Sequence, residues 1–193
     1  MTSLILIHGG AHGAWCWDPM LAPLRSAGHD VQAVDLPGRG ASAAGESEVA
    51  FEDWVATVSA AVDRATSRPV LIAHSMGGLS ASQVAERRPG DVASIVYVSA
   101  VVPEDGGAGL SELAQAGAEC ALLVPGALVP AADGKVLSVA PEHARIAFYE
   151  ESPEPDVQAA LSRLCAEWVL PMSTPLRLGA NFAGVPKRYI GAT

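Results

Sequence analysis

No apolar stretch of this 193-residue chain approaches the roughly 18 residues that a membrane-spanning helix needs. The run Leu4–Ile7 is far too short for the core of a signal peptide, so a cytoplasmic protein with no membrane partner is expected. Basic residues are few: 12 Lys and Arg stand against 21 Asp and Glu, a net charge of −9, and no dense basic run offsets it. Such a surface repels phosphate, which excludes nucleic acid as a partner. The 3 cysteines, Cys16, Cys120 and Cys165, are widely spaced and show neither a Cys-x-x-Cys pair nor a Cys/His cluster. That argues against a disulfide framework and against a metal site, and the three are read as small core residues. Internal repeats and low-complexity tracts are absent as well.

What is present is a globular pattern: half of the residues are apolar, enough for one domain with a full core. Leu4–Ile7 is a continuous apolar run ended by His8-Gly9-Gly10, which predicts a strand buried on both faces and hence a parallel sheet. Asp18-Pro19 offers a cap and a first-turn proline to a helix that Gly28 would end, with Pro23 inside it, and a second strand follows at Val31–Val34. Phe51, Trp54, Val55, Val58, Ala61 and Val62 recur at three- and four-residue steps and predict an amphipathic helix. Pro69–Ala73 reads as a strand, Gly77–Arg87 as a helix of small residues lying close on the sheet, and Val92–Val102 as a strand again. Alternating strands and helices predict an α/β fold. After Pro103 the alternation breaks into glycines, prolines and short mixed segments up to about Gly184, with Val157, Ala160, Leu161 and Leu164 at helical spacing; this is read as an inserted lid. Lys187–Ile190 looks like one more strand.

The chemistry is concentrated in His74-Ser75-Met76-Gly77-Gly78, set between a buried strand and a helix. A sharp turn there would lift the Ser75 hydroxyl out of the sheet as a nucleophile, and small flanking residues permit such a turn. Ala73 stands where the usual pattern has glycine. The bland alternative is a plain strand-to-helix turn with serine as cap. A second element speaks for the sharper reading: His8-Gly9-Gly10 follows an earlier strand and brings a flexible backbone amide to the same end of the sheet. The amides of Gly10 and Met76 would then face the oxygen of a substrate carbonyl as negative charge builds on it. His8 and His12 are read as braces of this loop rather than bases, and His74 as leaving the turn in another direction. Trp15 and Trp17 are read as packing a helix onto the sheet, with pocket lining as the alternative. Leu123, Phe148 and Trp168 could touch substrate or form a small core of the lid, and they are not assigned to the site.

Three stretches, His8-Gly9-Gly10-Ala11-His12-Gly13-Ala14-Trp15, Asp35-Leu36-Pro37-Gly38-Arg39-Gly40 and the Ser75 pentapeptide, resemble the α/β-hydrolase branch of plant methylesterases, hydroxynitrile lyases and bacterial esterases. The resemblance implies a mostly parallel sheet flanked by helices, with residues 1–102 as the N-terminal part of the core, 103–184 as the lid and 185–193 as the start of the C-terminal part. It maps the nucleophile to Ser75 and the oxyanion amides to Gly10 and Met76, and it implies no cofactor and no metal. In the resembled group the acid falls just past the motif that Tyr189-Ile190-Gly191-Ala192-Thr193 resembles, and the histidine tens of residues later. Both are therefore expected beyond Thr193, together with a last strand and helix, so the chain is expected to be C-terminally truncated, of uncertain activity by itself, and prone to self-association through an open sheet edge. The expected function is hydrolysis of a small hydrophobic carboxylic ester through an acyl-enzyme. The alternatives are a hydroxynitrile lyase, in whose loop a threonine replaces Gly9, and a non-catalytic small-ligand-binding protein of the same fold.

Overall fold

The computed structural model describes residues 1–39, 48–116 and 120–191. Its centre is strand β1 (Ser3–Ile7), whose five residues are all buried, as expected of an apolar run with sheet on both sides. After a 3₁₀ turn, helix α1 (Asp18–Ser26) leads to β2 (Asp30–Val34); then come α2 (Phe51–Arg64), β3 (Val70–His74), α3 (Gly77–Arg87) and β4 (Ser94–Val98). Chain alternation of strand and helix gives a sheet in which every pairing is parallel. Its order is β2-β1-β3-β4-β8, closed by β8 (Lys187–Ile190).

Successive strand residues face opposite sides, and the core divides accordingly. Leu4 and Leu6 of β1 pack with Val31 under Trp17, Leu21 and Leu24 at α1. Ile5 and Ile7 point the other way into the main core, against Trp54 and Val58 of α2 and Leu79 of α3. The apolar stripe read from residues 51–62 is the buried face of α2, and all six of its members are buried.

Two elements depart from expectation. Asp18 does not cap α1; the 3₁₀ turn Ala14–Trp17 runs directly into the helix, so Trp17 takes the cap position in helical geometry and Asp18 joins the first turn. There its carboxylate still favours the positive helix end. Gly28 ends the helix region with a φ of 86°, as glycine can. Strand β4 stops at Val98 rather than running on to Val102, because Ser99 takes a φ of 41° and turns the chain aside. The apolar residues beyond are redirected to the turn at Ser75: the Val101 N–H donates to the Ser75 carbonyl at 2.9 Å.

Between β4 and β8 the chain leaves the sheet. This insert holds α4 (Gly109–Gln115), an antiparallel sheet of β5 (Leu128–Pro130), β6 (Val136–Val139) and β7 (Glu167–Trp168), and helices α5 (Pro141–Tyr149), α6 (Glu154–Leu161), α7 (Val169–Ser173) and α8 (Ala180–Gly184). Of its expected helical stripe, Val157 and Ala160 are buried, while Leu161 and Leu164 are half-buried. The end of the insert is tied to α3: Gln83 bonds to the Arg177 backbone at both its N–H and carbonyl, and Glu86 accepts from the amides of Gly179 and Phe182. Among the described residues no helix is long and apolar enough to cross a membrane.

Candidate active site

Ser75 sits between β3 and α3 with a φ of 48°, in the left-handed region that costs an L-residue roughly 1–2 kcal/mol. Two surrounding glycines make the turn sterically feasible. A Cβ on Gly77 would lie 2.6 Å from the His8 carbonyl oxygen, and one on Gly78 would lie 2.2 Å from that of Val101. Ala73, where glycine is usual, is fully buried in register with Ile7 and Tyr97, and its methyl group is accommodated in the core. The Ser75 N–H donates to Val98 at 3.2 Å, and the Ser75 carbonyl accepts from Gly78 and Val101. Because a trans peptide sets its carbonyl and N–H on opposite sides, fixing the Ser75 carbonyl also directs the Met76 N–H away from those partners.

The loop after β1 meets this turn directly: a Cβ on Gly9 would collide with the Ser75 Cβ at 2.8 Å and with His74 Nδ1 at 2.9 Å. Gly10, Ser75 and Met76 line one small cavity of about 80 Å³, whose other walls include Leu110, Leu137 and Phe148. Among the described residues, no backbone acceptor takes the N–H of Gly10 or of Met76.

Both ring nitrogens of His8 are engaged. Nδ1 donates to the Gly9 carbonyl at 2.9 Å and Nε2 accepts from the Leu36 N–H at 3.1 Å. This pattern requires a neutral ring, and burial, aided by the nearby Arg39 charge, lowers the His8 pKa to about 3. His12 donates from Nδ1 to the Gly10 carbonyl at 2.7 Å and accepts at Nε2 from the Tyr149 hydroxyl, and burial lowers its pKa too. Both rings are braces, as read from the sequence. His74 lines a different, larger cavity of about 590 Å³, with Trp15 and Cys16 among its walls, and burial lowers its pKa to about 4. Trp17 packs beneath the sheet at α1, and both Trp15 and Trp17 also line the larger cavity, Trp15 stacked on His12 at 5.2 Å under the Arg163 guanidinium. The cysteines correct their reading as core residues: all three are only half-buried. Cys16 lies in the 3₁₀ turn Ala14–Trp17 beside the larger cavity, where burial raises its thiol to about 12, and Cys165 belongs to the junction of the insert with the Ala11 backbone.

Sequence reasoning missed two charged residues here. Arg39 is fully buried, donates to the Gly9 carbonyl at 3.1 Å, and forms an ion pair with Glu167 of β7. Glu167 accepts from the Ala11 N–H at 3.1 Å and lines the cavity of Ser75. Burial raises the Glu167 pKa and lowers that of Arg39, each opposed by the partner's charge. Arg39 belongs to the Asp35-Leu36-Pro37-Gly38-Arg39-Gly40 stretch, yet its partner is 128 residues away and no local pattern marks it. Gly40 of that motif and Ala192-Thr193 of the C-terminal one lie outside the described residues. Of the unassigned residues of the insert, Phe148 lines the Ser75 cavity, whereas Trp168 stands where a Cβ on Gly38 would be. Among the described residues no group of His, Cys, Asp and Glu could hold a metal ion.

A fully parallel sheet with a strained serine between strand and helix, faced by a glycine-rich loop, defines a recognisable class. A model of the alpha/beta hydrolase family matches residues 4–192, and the chain belongs to that family. Among curated proteins it is similar to Esterase PIR7B of Oryza sativa subsp. japonica, at 36% identity over 167 residues covering 81% of this chain and 62% of that protein. It is also similar to Methylesterase 7 of Arabidopsis thaliana, at 40% identity over 104 residues covering 52% and 40%. The chain thus spans less than two thirds of the length of these relatives. Among solved structures, a tomato methylketone synthase I variant complexed with beta-ketoheptanoate superposes with a TM-score of 0.85 at 24% identity, covering 100% of this chain and 79% of that one. At that identity the likeness concerns the fold.

Proposed function

We propose that this chain carries the nucleophile and oxyanion half of a carboxylic-ester hydrolase, acting through an acyl-enzyme on Ser75. The observation behind this reading is that a left-handed serine, Gly10 and Met76 line one largely apolar cavity, and that among the described residues the amides of Gly10 and Met76 have no acceptor. Attack by the Ser75 oxygen would place negative charge on the substrate oxygen between those amides, and each such donor contributes about 3 kcal/mol to the transition state. The alkoxide departs as the alcohol with the proton that Ser75 gives up, and water then adds to the acyl carbon, releasing the acid and returning a proton to Ser75. A cavity of about 80 Å³ suits a group of only a few carbon atoms, and the insert between β4 and β8 serves as its lid. The esterase names of the similar plant proteins agree with this substrate class. A hydroxynitrile lyase is disfavoured at Gly9, where any side chain would strike Ser75.

The test is mass spectrometry after treatment with a serine-reactive fluorophosphonate, alongside turnover of p-nitrophenyl acetate. Labelling at Ser75, abolished in Ser75→Ala, is the expected outcome. A folded chain that shows neither labelling nor turnover would count against this half acting by itself, and would leave ligand binding in the same cavity as the better reading.

A further inference from the structure

A buried ion pair is a poor device for stability, because removing two charges from water costs several kcal/mol each and an apolar pair of similar volume often serves as well. Arg39 and Glu167 therefore call for another role. Arg39 extends one nitrogen to the Gly9 carbonyl and another to a Glu167 oxygen, with its guanidinium 4.3 Å from the centre of the Trp54 ring. The other Glu167 oxygen takes the Ala11 N–H. The two side chains thus bridge the backbone on both sides of Gly10. The Gly9 carbonyl and the Gly10 N–H belong to one trans peptide, so holding that carbonyl on the Arg39 side turns the N–H to the opposite side. Gly10 lines the cavity shared with Ser75 and Met76, into which an N–H so turned could project. The insert reinforces the bracket at two further points: the Cys165 N–H donates to the Ala11 carbonyl at 3.0 Å, and Tyr149 holds His12 against the Gly10 carbonyl.

We propose that Arg39 and Glu167 form a positioning pair: Arg39 orients the Gly9–Gly10 peptide so that its N–H faces the nucleophile, and Glu167, carried by the insert, holds Arg39 there, so the oxyanion site is complete only when the insert is docked. This rests on the reading of Gly10 as an oxyanion donor. Neither residue touches the reacting atoms; both act through the loop.

The 193-residue chain is compared with the double variant Arg39→Met, Glu167→Leu and with Glu167→Gln, which keeps size and the acceptor for Ala11 but presents an amide to Arg39. Three quantities are read: melting temperature, backbone amide exchange over residues 8–13, and the saturation kinetics of Ser75 phosphonylation. The expected result for the double variant is a near-native melting temperature, loop exchange about 10-fold faster against unchanged exchange in β1 and β3, and a maximal labelling rate about 100-fold lower at an unchanged saturation constant, the low end for loss of an oxyanion donor. Glu167→Gln is expected to change loop exchange and labelling in the same direction, and it decides the matter if the double variant does not fold. Native loop exchange and native labelling in a folded variant overturn the pair's role. If the unaltered chain fails to label at Ser75, the catalytic reading fails by itself, and loop exchange still decides whether the pair orients the peptide.

Discussion

At the scale of single residues, the site depends on atoms that are missing as much as on those present. Gly78→Ala would drive a methyl group to within 2.2 Å of the Val101 carbonyl oxygen, which is backbone and cannot swing away. The expected cost is at least about 2 kcal/mol, read from urea unfolding, with loss of Ser75 labelling in the fraction that remains folded. An unchanged midpoint would mean that the turn relaxes freely. The buried histidines give a pH dependence of definite sign. His8, His12 and His74 all have lowered pKa values, to about 3 for His8 and about 4 for His74. Between pH 6.5 and 4.5 the unfolded chain binds protons that the native rings of His8 and His74 do not, so stability is fully present above pH 6.5 and falls as the pH drops through that window, His12 acting in the same sense. Each ring contributes up to about 1.4 kcal/mol per pH unit, and the raised Glu167 carboxyl opposes them by at most one proton. From His8 and His74 a net loss of roughly 1–2 kcal/mol from pH 6.5 to 5.5 is expected in urea unfolding, with His12 adding in the same direction, and equal midpoints would show that the rings are hydrated.

At the scale of elements, α2 shows how unequal contacts on one helix are. Trp54 is fully buried on the sheet side, and Trp54→Ala is expected to cost about 3–5 kcal/mol through lost transfer energy and the cavity left behind. Glu52, about two-thirds exposed on the other side, pairs with Arg87 at 2.6 Å, and Glu52→Ala is expected to cost less than about 1 kcal/mol. Thermal melts of the two variants would separate these, and comparable losses would contradict the assignment of the core face. Periodicity made this helix legible because its apolar spacing matches 3.6 residues per turn. Residues 99–102 have strand-like composition too, yet the positive φ of Ser99 and the bond from Val101 to the Ser75 turn take them out of the sheet.

For the whole molecule, β8 stands at one edge of the described sheet. All four residues of β8 are exposed, Tyr189 and Ile190 by more than half, and among the described strands β8 pairs only with β4. An open parallel edge with exposed apolar side chains invites pairing with another copy. Light scattering of the 193-residue chain is expected to show concentration-dependent oligomers, and a clean monomer at all concentrations would refute this. Local pattern alone determined the alternation of strand and helix, the buried face of α2 and the two glycine-rich turns, because each is written in residues adjacent in the chain or one helical turn apart. Tertiary structure alone decided that Gly9 touches Ser75, that His74 faces a separate cavity, and that Arg39 meets Glu167. Those contacts join segments up to 128 residues apart, and no periodicity or spacing encodes which side chains of distant segments will share a buried space.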